Sequence, residues 1–320
     1  MEETEIAGRF TTLYTDLRVE DEYYSRKPLL AHYTSAQVLE SILRNGEIWL
    51  SSPLLMNDAD EVRFGLNESL QQFITSKIIE SACKGVGRFD AIVQAYRYYY
   101  NQFAEDHILN TYVFCLSLHG ADDTDGRLSM WRGYGGNGND VAIVFNTSKL
   151  APDDNAPLTI AKVHYGSREE RRAWISDKIV QFASVLEDIN LPDAQLYIAA
   201  YHTFERLKLF SVFTKHKGFE EEQEWRIVYL PSKDRHKMFS DMIGYNLGAR
   251  GIEPKLKLKI EDVLKRLNSN TSLNDLIHSI ILGPSISTPL AASAISKMMD
   301  QLGKSNLRGR IIASTIPYRS

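Results

Sequence analysis

The chain has 320 residues, 43% of them hydrophobic and 24% charged, with a formal net charge of −4 at pH 7. This is ordinary globular composition, with enough apolar mass for a core of its own. Only Cys83 and Cys115 are present, with no CxxC or Cys/His clustering, which speaks against a disulfide scaffold or a zinc site and for an intracellular protein.

The opening MEETEIAGRF is acidic and lacks the apolar h-region of a signal peptide, and no apolar run approaches the roughly 20 residues that span a bilayer. A soluble, cytoplasmic chain without membrane contact is expected. The charge is uneven: from Pro231 onward there are 14 basic and 7 acidic side chains, against 23 and 34 in the preceding 230 residues. A basic final third suits a polyanion such as nucleic acid, and equally suits a solvated basic surface beside an acidic one.

Along the chain, residues 1–27 read as a polar lead-in with one weak helix. LLAHYTS is a short strand, and SAQVLESILRNG a helix whose Val38, Leu39, Ile42 and Leu43 share a face before Gly46 stops it. EIWLSS is a second strand, followed by the loop PLLMNDADEVRFG. Residues 66–109 read as long helices, with Tyr96, Tyr99, Tyr100 and Phe103 on a shared, core-like face. TYVFCLSLHG, DVAIVFN and LTIAKVHYG are strands, and GYGGNG (133–138) is a flexible loop rather than a dinucleotide fingerprint, because it follows a helix and precedes a strand. A helical stretch covers about 167–213, and EWRIVYL is the next strand. A basic helix–loop region then leads to IHSIILGPSI, the helix PLAASAISKMMDQLG and RIIASTIPY. Strands from both ends of the chain, split by irregular helical insertions, imply an α+β fold and one intertwined domain over 28–320.

No P-loop, HExxH or GxSxG occurs, and no histidine pair has metal-ligand spacing, so no metal is expected. Four constellations remain. In HYTS, His32 and Thr34 project from one side of a strand, next to a helix N-terminus that favours anions; the plainer reading makes Thr34 or Ser35 a helix cap and His32 a core residue. In NDADE, Asn57 or Asp58 can cap a helix, with Glu61 following. In MWRGYG, Trp131 suits the core, and Tyr134, between glycines, suits an exposed edge. In GFEEEQEWRIVYL, an extended strand would align Glu222, Glu224 and Arg226 on one face, opposite an apolar face of Trp225, Ile227 and Tyr229. Arg226 would then hold Glu224 ionised, fit to stabilise a developing cation rather than to donate a proton.

The ordered set His32-Tyr33-Thr34, Asn57-Asp58-x-x-Glu61, Cys115-Leu116-Ser117, Met130-Trp131-x-x-Tyr134 and Glu222-x-Glu224-Trp225-Arg226, with the terminal IIASTIPYR, resembles a widespread bacterial family of uncharacterised proteins over about residues 29–319. That family is in turn similar to ADP-ribosyltransferase-superfamily toxins that modify nucleic acids. The resemblance implies a split pair of β-sheets flanked by helices, with NAD as substrate in the cleft. It implies that His32 bonds an NAD ribose, that the backbone near Tyr33, within the H-x-T strand ending at Thr34, holds the nicotinamide amide, and that Tyr134 stacks on the ring. Glu224 would bind the ribose 2′-hydroxyl as the catalytic carboxylate, and Glu222 would be the first acid of an E-x-E pair. Arg226, beside Glu224, and Asn57, which has no counterpart in that superfamily, are also expected on the cofactor side. Asp58 and Glu61 have no assigned role.

Breaking the nicotinamide–ribose bond creates an oxocarbenium-like centre, which a fixed anion stabilises. The expected activity is therefore NAD-dependent ADP-ribosylation by a bacterial toxin or phage-defence effector, with an antitoxin protein as a candidate partner. The acceptor would be a base in single-stranded RNA or DNA, since Lys255, Lys257 and Lys259 offer phosphate contacts and a base must leave its stack to react. The alternatives are a protein acceptor, a metal-dependent nuclease built on Glu222, Glu224 and Asp58, and a non-enzymatic nucleotide-sensing module.

Overall fold

The computed structural model describes residues 2–18, 27–55, 59–134, 138–150, 157–234, 236–248, 251–267 and 269–317. Among them are the strands β1 (Leu29–Ser35), β2 (Glu47–Ser51), β3 (Tyr112–His119), β4 (Asp140–Asn146), β5 (Leu158–Lys162), β6 (His164–Gly166), β7 (Thr214–His216), β8 (Glu224–Tyr229), β9 (Ile243–Gly248), β10 (Gly251–Lys259), β11 (Ile277–Leu282) and β12 (Ile311–Ala313). The secondary structure is mixed, in an α+β arrangement. The chain folds as two compact units, each discontinuous in sequence: Met1–Asp21, Ser52–Thr111 and Val163–Phe219 form the first, and Glu22–Ser51, Tyr112–Lys162 and Glu220–Ser320 the second.

The first unit is helical, with one short parallel pair, β6–β7. Helix Ala59–Ile74 starts earlier than the sequence pattern suggested, with Asp60 and Glu61 in its first turn, where the helix dipole favours acids. Helix Val86–Glu105 buries Tyr96 and Phe103 and leaves Tyr99 and Tyr100 at the margin; Tyr96 stacks on Phe73 with ring centroids 4.0 Å apart. The expected single helical stretch at 167–213 is two helices, Arg168–Asp188 and Leu196–Val212, separated around Pro192, which cannot continue a helix interior. A capping box between Ser167 and Glu170 opens the first of them. The same cap ends the extended segment LTIAKVHYG, which is two strands, β5 and β6, rather than one.

The N-terminal stretch is more than a polar lead-in. Helix Glu3–Phe10 and the turns after it place Ile6, Phe10 and Leu13 in the core, where Phe10 stacks on Phe182. Asp16 then accepts from the buried Arg206 at 2.5 Å and lies 3.1 Å from the buried Lys178 ammonium.

The second unit is one sheet in the order β12-β11-β4-β1-β3-β2-β10-β9, with β8 on β3 and β5 on β8. Pairing is antiparallel except for β11–β12. One face carries the larger core: Leu30, Phe114, Leu116, Ile143, Trp225, Leu256 and Ile280 pack with helices Ala36–Asn45, Ile260–Arg266 and Pro289–Gln301. The other face holds Ala31, Tyr33, Ala142, Val144 and Ile281 under Met130 and Trp131 of helix Leu128–Tyr134. The segment expected as a basic helix–loop contains the β9–β10 hairpin; its Lys-Leu-Lys-Leu-Lys run at 255–259 alternates with period 2, which is a strand signal.

Burial works against the charge on Asp16, but Arg206 and Lys178 outweigh it and hold the carboxyl below its ordinary range. A depressed carboxyl stabilises the fold above its unfolded pKa near 3.8, and that contribution is lost as pH falls through the folded value. Asp16→Asn should lower stability at pH 7 by about 1–3 kcal/mol, discounted for its partial exposure, and should flatten the acid limb of the pH–stability curve below pH 4. Thermal melts across pH measure both.

Candidate functional site

The site begins with a fork in the sheet. β8 occupies one edge of β3 over Tyr112–Ser117. Two strands share the opposite edge: β1 pairs with Ser117–His119, and β2 bridges only at Val113↔Ser51. The β1–β3 ladder ends at Ala31↔Ser117.

The hydrogen-bond alternation fixes where the backbone points. Leu118 N–H donates to the Gln223 carbonyl at 2.9 Å, which makes Ser117↔Glu224 and Cys115↔Arg226 pairs of the non-hydrogen-bonded type. The Cys115 carbonyl therefore faces the fork, where His32 Nδ1 takes it at 3.0 Å. On β1, Ala36 N–H donates to the Asn139 carbonyl, so Ser35↔Asp140 and Tyr33↔Ala142 are non-hydrogen-bonded pairs as well. The Tyr33 N–H and C=O thus point towards the fork, beyond the last rung of the β1–β3 ladder.

His32 stacks on Phe114, with ring centroids 4.2 Å apart. Burial pushes its imidazole down to about 4 against the upward pull of the Cys115 carbonyl, so it is neutral at pH 7. Facing only a carbonyl there, Nδ1 carries the proton, and Nε2 is left as an acceptor. Ser35 caps helix Ala36–Asn45, its Oγ accepting from Val38 N–H at 3.3 Å, and Thr34 sits on the His32 side of β1 opposite Val141.

The carboxylates lie on the other face. Ala31, Ser117 and Glu224 stand opposite one another in a row across β1, β3 and β8, so Glu224 shares the face of Ala31 and Tyr33, not that of His32. The shared His32–Glu224 pocket expected from the sequence is therefore not formed by one sheet face. Nor do Glu222, Glu224 and Arg226 line one extended strand. Gln223 adopts φ +47°, Glu222 ends a 3₁₀ turn over Lys217–Glu222, and β8 starts at Glu224.

Glu224 and Arg226 are 4% and 1% exposed and form a bidentate pair, with Nε–Oε1 2.8 Å and Nη2–Oε2 2.9 Å. They do not form the open surface expected from the strand pattern: both side chains are buried, and β8 pairs with β3 on one edge and, from Trp225 on, with β5 on the other. Glu222 is only half-buried. Its carboxylate accepts from the Tyr134 hydroxyl at 3.3 Å, and its backbone carbonyl accepts from Ser117 Oγ at 2.6 Å. Tyr134 is at an exposed edge and Trp131 is in the core. Glu222 is thus the more accessible of the two acids.

The wall beside them depends on close packing. Trp131 meets Tyr33 edge-on at 4.7 Å, and the Tyr33 hydroxyl accepts from Arg127 N–H at 2.8 Å. Gly126 has φ +72°, and a Cβ there would lie 2.9 Å from both the Tyr33 hydroxyl and the Trp131 ring, so only glycine fits without displacement. Arg127 bonds the Leu118 carbonyl through Nε and Nη2. Sequence reasoning gave Ser117 and Arg127 no role; Ser117 was visible in the Cys115-Leu116-Ser117 motif, while nothing in the spacing marked Arg127.

The remaining candidates stand elsewhere. Asn57 and Asp58 lie outside the described residues, as do positions 135–137 of the glycine loop. Glu61 is in the first unit, ion-paired with the buried Arg171. Of the three lysines offered to phosphate, Lys255 is buried against Glu253 at 3.0 Å, Lys259 is 3.9 Å from Asp262, and Lys257 lies 4.3 Å above the Trp49 ring. Among the described residues no group of three or more His, Cys, Asp or Glu is placed to hold a metal ion.

Removing one member of a buried ion pair strands the other, at about 3–5 kcal/mol. Glu224→Gln and Arg226→Gln should each lower the melting temperature sharply, while Glu222→Gln leaves it within about 2 °C; differential scanning calorimetry separates them. For His32, the unfolded imidazole takes a proton near pH 6.5 and the folded one only near 4. Stability is then full above about 6.5 and declines as pH falls towards 4, with His119 and His202, also depressed by burial, sharing the slope. His32→Gln should flatten that part of the curve in urea titrations at pH 4.5 to 7.

The family model described as "Protein of unknown function (DUF2971)" matches residues 130–227. The matched stretch includes Trp131, Tyr134, Glu222, Glu224 and Arg226, and excludes His32–Ser35. No match was found among the curated proteins or among the solved structures. The chain is thus similar, over the segment that carries both carboxylates, to a family without an assigned activity.

Proposed function

We propose that the chain is an NAD-dependent ADP-ribosyltransferase acting on a base in single-stranded nucleic acid, as a bacterial toxin or defence effector. The observation that carries this reading is the fork: the Tyr33 N–H and C=O stand side by side beyond the last β1–β3 rung. One donor and one acceptor at that spacing match a primary carboxamide, which accepts through its oxygen and donates through its NH₂. The neutral His32 ring at the same fork, with Nε2 as acceptor, suits a sugar hydroxyl.

Within this reading the catalytic carboxylate moves from Glu224 to Glu222. A ribose hydroxyl could reach Glu224 only by breaking a buried bidentate ion pair, whereas Glu222 already meets a hydroxyl, that of Tyr134. Glu224 and Arg226 then brace the start of β8, and Ser117 fixes the turn that presents Glu222. A second reading, a nucleotide-sensing module without catalysis, is favoured by that same locking of Glu224.

The purified chain is incubated with labelled NAD and single-stranded RNA, single-stranded DNA or lysate. Transfer of label to an oligonucleotide, reduced by about 10²–10³ in Glu222→Gln, is the expected result. Label only on protein changes the acceptor class. NAD binding without turnover, unchanged by Glu222→Gln, replaces the enzyme with the sensing module.

A further inference from the structure

β9 ends the sheet, with β10 on one side and no strand on the other among the described residues. The far edge of β10 makes Gly244↔Lys255 a hydrogen-bonded pair, and with it Gly248↔Gly251, the last pair of the ladder. On that far edge Ile260 N–H donates to the Gly46 carbonyl at 2.9 Å, so Lys255↔Ser51 is a non-hydrogen-bonded pair and the Lys255 backbone is directed to β9. Alternation gives Asn246↔Glu253 the same type as Gly244↔Lys255, which turns the backbone N–H and C=O groups of Ile243, Tyr245 and Leu247 outward.

Edge strands are ordinarily kept from pairing by charges, proline or bulges. Ile243–Gly248 reads IGYNLG, with no charge and no proline, and its register with β10 is unbroken. Tyr245, Leu247 and Ile252 are 59%, 73% and 69% exposed, on the face that further along carries Leu256 and Leu258 into the core. The strand is also held ready: Arg266 donates to both oxygens of Asp241, just before it, at 2.9 and 2.8 Å.

We propose that this edge joins two copies of the chain, β9 to β9, antiparallel about a two-fold axis at Tyr245. In that register Tyr245 faces its own copy and Ile243 faces Leu247 of the second copy, so the three outward residues on each side exchange about six backbone hydrogen bonds. The outward triplet is symmetric under reversal, and no like charges meet. β9 itself contributes no cation to a polyanion; the neighbouring Lys257 ammonium lies 4.3 Å from the Trp49 ring and 6.0 Å from that of Tyr245. A single strand pair falls short of a standard interface of roughly 1,200 Å², which places the association in the weak class, with Kd on the order of 10 µM.

Sedimentation velocity of the full chain from about 1 to 100 µM should show monomer passing to dimer around that Kd. Tyr245→Lys, which sets two ammonium groups against each other at the axis, should weaken association at least about tenfold with an unchanged melting curve. In a Cys115→Ser background, Tyr245→Cys should cross-link to itself under mild oxidation. Leu247→Cys should not, because its two copies lie about 13 Å apart along the strands. A chain that stays monomeric throughout, a dimer indifferent to Tyr245→Lys, or equal cross-linking at 247 overturns the proposal. So does a monomer whose edge is instead protected by an extended peptide or a single-stranded oligonucleotide.

Discussion

The Cys115 carbonyl organises the fork in the sheet unit. The β3–β8 register turns it away from β8, onto an edge that β1 and β2 both approach. His32 takes it with a ring nitrogen, and the ladder between β1 and β3 stops one rung short. A side chain thus replaces a backbone bond, which satisfies the buried acceptor while freeing the Tyr33 peptide from β3. If that carbonyl were bonded by a regular rung, the fork would close and the recognition elements proposed for a carboxamide would be lost.

The acids obey a different logic. Glu224 looked catalytic because it precedes a Trp-Arg pair at the mouth of a strand. In the fold that position opens β8, opposite Ser117 of β3 and one residue before the β5 ladder, and it is buried; removing a charge from water there requires a partner of opposite sign held bidentately. The positive φ of Gln223 separates this structural pair from Glu222, which turns out towards Tyr134. Two residues of sequence distance thus divide a buried acid from an accessible one.

Charge is handled the same way in the helical unit. Arg171, Lys178, Arg206 and Lys208 are buried, matched by Glu61, Asp16 and Glu205 and by the faces of Phe64, Trp174 and Phe103. Lys208 is pushed below its ordinary range by burial even with Glu205 beside it. In the basic final third Lys255 is likewise buried against Glu253, whereas Lys259 is exposed, 3.9 Å from Asp262.

Local pattern determined much of the fold. Alternating or continuous apolar runs marked β1 to β4, β8 and β11, and the 3.6 period with Ser35 and Gly46 at its ends marked helix Ala36–Asn45, because these signals arise from each segment's own periodicity and capping. The motif residues Tyr134, Glu222 and Glu224 were legible too, and they do converge around the start of β8. What only the tertiary structure decided was facing and burial. Whether His32 and Glu224 share a face depends on the pairing of β1, β3 and β8, and the burial of Glu224 depends on segments that only the fold brings together. The β9–β10 hairpin stayed hidden because its apolar positions lie half in solvent, where composition reads as loop. Register is a property of two segments at once, and no single segment encodes it.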